Sequence, residues 1–99
     1  MKQLTIEEMR NNLTLAIEDE ARLALFEDVV NEYIAEPNIV NKKILYGTYE
    51  NLLLVYALQN IKNADERITF YAENSVSLNY AEEMEFVILP LLEMQKKEG

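Results

Sequence analysis

Between Gln3 and Glu36 the chain carries neither glycine nor proline, and its apolar residues recur three and four positions apart. Thr5 followed by Glu8 has the spacing of a capping box, which predicts a helix beginning at Ile6. With Ile6 as the first seam position of a heptad, Ile6, Met9, Leu13, Ala16, Glu20, Leu23, Glu27, Val30 and Ile34 follow, and seven of the nine are apolar. One long helix reaching Ala35 is the expectation. A break at Glu18-Asp19-Glu20, with Asp19 as a fresh cap, is the alternative.

Pro37 ends this element, because it has no amide hydrogen and turns Glu36 away from helical geometry. Asn38 or Asn41 is placed to cap a short helix through Lys42–Tyr46, with Gly47 closing it in a left-handed turn and Thr48 capping the next element. From Tyr49 to Lys62 apolar residues occupy every side: Leu52, Val55 and Tyr56 on one face, Leu53 and Ala57 on a second, Leu54, Leu58 and Ile61 on a third. A helix apolar all round belongs inside a bundle.

Asn63 and Glu66 repeat the capping spacing and predict a short helix through Asp65, Ile68, Tyr71 and Ala72. The alternation in Arg67–Tyr71 also fits a strand. Asn79 with Glu82 opens a last helix whose Ala81, Met84, Ile88, Leu91, Leu92 and Gln95 keep helical spacing. Lys96 and Lys97 suit its negative end, and Pro90 is expected to kink it. The pattern as a whole predicts an all-α chain: a compact bundle of four to five helices with a long N-terminal helix and a buried central helix, forming a single domain over 1–99. With two glycines and neither an Asn-Gly nor an Asp-Gly turn, hairpins are poorly supported. An α+β chain with strands in 66–92 is the alternative.

Composition narrows the chemistry. Eighteen carboxylates against nine Lys and Arg give a net charge of −9, which repels nucleic-acid backbones and anionic lipid and attracts basic protein surfaces. The charge is uneven: nine acids against three bases in 1–36, four against four in 37–81, five against two in 82–99. With no His and no Cys, the commonest general base, the commonest metal ligand and the most reactive nucleophile are missing together, so the expectation is that the chain is not an enzyme. Two glycines cannot build a phosphate-cradling loop, and no cofactor is expected. Glu18-Asp19-Glu20 lacks the glycine-bearing spacing of a calcium loop, and on a helix its three side chains diverge, so no metal is expected either. The opening MKQLTIEEMR has no apolar core of the kind an export signal needs, and no segment nears the roughly 18 apolar residues of a membrane span; a cytoplasmic location follows as an expectation.

Three surfaces remain as candidates. On a continuous first helix Glu7, Glu18, Asp28, Glu32 and Glu36 fall within about a quarter turn, forming an acidic face opposite the seam. Among six tyrosines, Tyr46 and Tyr49 flank Gly47 and are the expected exposed aromatic anchors. A helix from Thr5 to Ala35 would run about 45 Å, longer than a domain of this size is wide. Its seam of Ile6, Met9, Leu13, Leu23, Val30 and Ile34 is therefore a candidate homodimer contact. The expected function is that of a small acidic protein binding another protein in the manner of an inhibitor, antitoxin or immunity protein, masking a basic nucleic-acid-binding surface as a nucleic-acid mimic. A homo-oligomeric structural or chaperone-like component, working through the N-terminal seam, is the alternative.

Overall fold

The structure, a computed structural model, describes residues 4–98, with side chains through residue 95. It contains five helices: α1 (Ile6–Ala16), α2 (Glu20–Ala35), α3 (Ile39–Asn60), α4 (Ala64–Glu73) and α5 (Leu78–Glu98). No strand occurs among the described residues, so the α+β alternative is set aside and Arg67–Tyr71 is helical. The Lys96 and Lys97 side chains, expected to complement the end of α5, lie outside the described residues.

The capping box forms as the spacing predicts: the Thr5 amide donates to Glu8 Oε1 at 3.0 Å, and the Glu8 amide donates to Thr5 Oγ1 at 3.1 Å. The long first helix does not form. α1 ends at Ala16, Ile17 turns extended, and Asp19 caps α2 by accepting from the Ala21 amide at 2.9 Å. Two effects favour the break. Three adjacent carboxylates repel one another, and aspartate is worth more as a cap than inside a helix. Folding back also brings both halves of the seam onto α3, so that Met9, Leu13, Ile17, Phe26 and Val30 are all buried in one core rather than along a rod that nothing covers.

α2 and α3 are joined through Pro37 and Asn38. The Asn38 side chain accepts from the Asn41 amide at 2.8 Å, while Asn41 Nδ2 donates to the Glu36 carbonyl at 2.8 Å and lies 3.4 Å from that of Glu32. One asparagine thus starts α3 and its neighbour satisfies carbonyls that the end of α2 leaves open. Against expectation, α3 does not stop at Gly47. It runs unbroken for 22 residues, and Gly47 sits within it at ordinary negative φ. The reason lies in its flanks: Leu45, Tyr49 and Leu53, four residues apart, are all buried, so the same face continues into the core on both sides of the glycine.

α3 is the central member and touches each of the other four helices. Leu53, Leu54 and Ala57 are fully buried, and Leu52, Val55, Tyr56 and Leu58 are partly covered. Tyr56 meets the ring of Phe70 on α4 at 5.6 Å between centroids. α4 starts at Asn63, whose side chain accepts from the Glu66 amide at 3.1 Å. It ends in a Schellman turn: the Val76 amide donates to the Tyr71 carbonyl at 2.8 Å and the Ser75 amide to that of Ala72 at 3.3 Å, with Ser75 itself at φ 59°. α5 then opens at Ser77, not at Asn79; the Ser77 hydroxyl faces the Tyr80 amide and its own amide donates to Glu50 Oε2 on α3 at 2.8 Å. Pro90 lies within α5. The molecule measures 43 × 29 × 24 Å.

Candidate functional site

Three hydrogen-bonded knots tie the helices together, and they engage the buried arginine and the two most buried tyrosines among the described residues. Between α1 and α2, the Arg10 guanidinium grips the Glu27 carboxylate with both of its forks, at 2.8 and 2.9 Å, and reaches Glu7 at 3.0 Å. The charge-assisted bonds from Arg10 hold the Glu27 carboxyl below the usual range despite its partial burial. Glu27, an exception in the apolar seam, is therefore the partner that an arginine on the neighbouring helix requires.

The second knot centres on Tyr49, whose hydroxyl accepts from Asn12 Nδ2 at 2.9 Å and donates to the Asn74 carbonyl, linking α1, α3 and the end of α4. Burial pushes this phenol's pKa up, with the Asn12 bond opposing the shift. The third knot joins α4 to α5. Arg67, almost wholly buried, donates to both Glu85 oxygens, at 3.1 Å from Nη2 and 3.3 Å from Nε, and to the carbonyls of Ile61 and Lys62 at 2.8 and 3.1 Å. Tyr71 donates to Glu85 Oε2 at 2.8 Å, and its phenol pKa is pushed well up, first by burial and then by that bond. A tyrosine held protonated beside a carboxylate already paired to arginine offers neither a base nor a free acceptor. Among the described residues no buried side-chain polar atom lacks a partner.

Grooves run along both sides of this third knot. One of about 490 Å³ lies between the C-terminal end of α3 and the later turns of α5, lined by Leu58, Lys62, Arg67, Leu89, Leu92 and Glu93 among others. A second of about 320 Å³ lies between α4 and α5 over Ile68, Tyr71, Ala81 and Glu85. Their charged groups are those of the knot or stand at the rim, and among the described residues no set of His, Cys, Asp and Glu gathers as a metal site would.

The predicted surfaces fare unequally. The acidic face is divided by the break at Ile17: Glu7 lies on α1 beside Arg10, Glu18 lies in the connection, and Asp28, Glu32 and Glu36 stay together along α2 and its C-cap. These last three are exposed and make no ion pair among the described residues. Leu25 stands on the same face, three residues before Asp28 and seven before Glu32, and is itself exposed. The aromatic anchors are a correction. Tyr49 is 1% exposed, and Tyr46 is half-buried with its hydroxyl donating to the Leu4 carbonyl at 2.9 Å. Because Gly47 continues the helix, both rings stay on α3 and neither is presented at a turn. The homodimer seam is likewise a correction: Met9, Leu13 and Val30 are in the chain's own core, Ile6 and Leu23 pack against it, and Ile34 alone of the six is exposed.

Two features carry no expectation from the sequence. The Arg67–Glu85 pair left a trace, a glutamate at the inward spacing between Ala81 and Ile88. The other is the outer face of α5, where Phe86 is 84% exposed and Val87, Leu91 and Met94 are each 56% exposed. Its trace is the run Phe86–Leu92, seven apolar residues in succession on a helix that has only one face against the bundle. No helix among the described residues is long and apolar enough to cross a membrane. Compared with known protein families, curated proteins and solved structures, the chain matches none.

Proposed function

We propose that this chain is a non-catalytic, cytoplasmic protein that acts by binding another protein through a basic surface on that partner, in the manner of a small inhibitor or immunity protein. The observation that carries this reading is the α2 ridge: Asp28, Glu32 and Glu36, exposed and in no ion pair among the described residues, beside the exposed Leu25. A row of unpaired carboxylates steers a positively charged partner from a distance, and an apolar side chain within the row supplies contact once the two meet. The ridge is shorter than a five-carboxylate face, so a basic patch about one helix face wide is the matching surface. A nucleic-acid-binding groove is the form of such a patch that this negative charge would mask.

The test is capture from host lysate on immobilised protein, at low and at high salt, with Glu32→Lys/Glu36→Lys in parallel. The partner should be held at low salt, released at high salt because exposed charges are screened within about 10 Å at 0.1 M, and missed by the charge-reversed ridge. Capture that ignores both salt and the reversal would remove the ridge from the account. The burial of Met9, Leu13 and Val30 in the chain's own core speaks against the alternative of self-assembly through the N-terminal seam.

A further inference from the structure

We propose that the outer face of α5 is a docking surface for a basic amphipathic helix of another protein. At about 100° per residue, Phe86, Val87, Pro90, Leu91 and Met94 share one side of the helix, turned away from Ala81 and Ile88, which pack into the bundle. All five are exposed, Phe86 the most at 84%. Together they present on the order of 500 Å² of apolar surface, within the size range of patches that are often functional on a monomer. They form two rows, Phe86, Pro90 and Met94 in one and Val87 and Leu91 in the other, with a furrow between them. A ridge of side chains on a second helix fills such a furrow, and methionine adapts to what lies in it.

Charge decides which helix fits. Outside the Arg67 knot, the described charged side chains of α5 are Glu82, Glu83 and Glu93, all exposed and in no ion pair among the described residues. Glu83 stands at the N-terminal end of the stripe, and Glu82 and Glu93 run along its Phe86 edge. Glu82 also lines the groove between α4 and α5, and Glu93 the groove between α3 and α5. Pro90 adds an acceptor to this side: with no amide hydrogen to give the Phe86 carbonyl, four residues back, it leaves that oxygen without its usual helical donor. Carboxylates and an open carbonyl around an apolar stripe are complementary to lysines or arginines beside aliphatic side chains, the pattern of a basic amphipathic helix. A second copy would bring the same three carboxylates to the contact, and anionic lipid its own negative charge. The inference rests on the reading that the partner is basic, but it lies on a different helix from the α2 ridge, so the two are tested apart.

The experiment is fluorescence anisotropy of a labelled synthetic peptide of about 18 residues, with leucines at helical spacing and lysines between them, titrated with the full chain. A matched peptide carries glutamates in place of the lysines. The lysine peptide should bind and the glutamate peptide should stay free. Phe86→Ser and Met94→Ser should each weaken binding about tenfold, with helix content by circular dichroism unchanged since both side chains point outward. Glu82→Gln/Glu83→Gln/Glu93→Gln should weaken it by a similar factor at about 0.1 M salt and remove most of its salt dependence. Glu32→Lys/Glu36→Lys should change it less than about threefold, because the ridge is not the contact. A lysine peptide that stays free, equal binding of the two peptides, or binding indifferent to Phe86→Ser would overturn the proposal. Binding lost on reversing the ridge and kept in Phe86→Ser would place the basic helix on α2 instead. A dimer in sedimentation velocity, or flotation with phosphatidylcholine vesicles, that Phe86→Ser abolishes would overturn it too, by assigning the face to a second copy or to lipid.

Discussion

Arg67 on α4 and Glu85 on α5 form the most deeply buried ion pair among the described residues, with side chains 9% and 18% exposed. The two do not contribute alike. Glu85 has Arg67 and Tyr71 as partners, whereas Arg67 also satisfies the carbonyls of Ile61 and Lys62 in the turn that leads into its own helix. Replacing Arg67 with Met strands a carboxylate and uncaps two carbonyls, and should cost about 3–5 kcal/mol. Glu85→Gln keeps an acceptor for Tyr71 and leaves the carbonyl bonds intact, so about 1–2 kcal/mol is expected. Urea unfolding of the two variants tests the order: a glutamine costing as much as the methionine would show that charge, not the carbonyl contacts, dominates.

Three phenols are held protonated by burial, at Tyr46, Tyr49 and Tyr71. Each has a folded pKa above the ordinary 10.0 of the unfolded chain, so the folded state binds more protons than the unfolded one above that pH. Their contribution is complete below pH 10 and is lost as pH rises toward the folded values. Thermal melts should therefore show a steep alkaline fall that begins near pH 10, and Tyr71→Phe should make that fall shallower while lowering stability at neutral pH through the lost bond to Glu85. An alkaline limb unchanged by Tyr71→Phe would mean that other groups set it.

Ser75 occupies the left-handed position of the turn between α4 and α5 without the glycine that such turns favour. A side chain there costs about 1–2 kcal/mol against the preferred region, and glycine returns part of that gain as chain entropy. Ser75→Gly should stabilise the fold by about 0.5–1 kcal/mol, read as a higher urea midpoint at unchanged slope. Among the described residues the turn uses the Ser75 amide, which the change to glycine keeps.

Gly47 presents the opposite case, a glycine in a place that has no use for one. A methyl group there would meet nothing within 4 Å, and the backbone is ordinary helix. Gly47→Ala should raise stability by about 0.5–1 kcal/mol by reducing the freedom of the unfolded chain. Loss of stability instead would point to a closer neighbour than the structure places there.

The same glycine shows where the sequence was hard to read. Local signals were reliable wherever a side chain bonds its own helix, as at Thr5, Asn38 and Asn63, because capping is decided within four residues. They failed where distant packing competes with them. Gly47 carries a stop signal, but the burial of Leu45, Tyr49 and Leu53 against other helices outweighs a cost of about 1 kcal/mol. The Glu18-Asp19-Glu20 segment carries a weaker stop, which succeeded because continuing the helix would have left its seam uncovered. The interaction surfaces followed from these two choices: breaking at Ile17 put Met9, Leu13 and Val30 in the core and split the acidic face, and continuing through Gly47 buried Tyr49 and left Tyr46 half-buried on the helix. The outer face of α5 was legible as an excess of apolar residues, but which side would remain uncovered depends on where α3 and α4 pack.

Arg10 and Glu27 connect the two helices that the break at Ile17 creates, across 17 residues of sequence. The Glu27 carboxyl lies below its ordinary 4.5 because Arg10 bonds its charged form, so this contact adds stability above that pH and loses it as pH falls through the depressed folded value. Both side chains are more than a third exposed, and solvent screening keeps the contribution small. The prediction is accordingly one of shape: Glu27→Gln should flatten the acid limb of thermal stability below about pH 4.5 relative to the unchanged chain, with only a minor loss at neutral pH. Arg10→Gln should flatten it similarly, since Glu27 then titrates alike in both states. If either variant left the acid limb untouched, the two helices would be held by the burial of Met9, Leu13 and Phe26 alone, and the arginine fork would be an ornament of the surface.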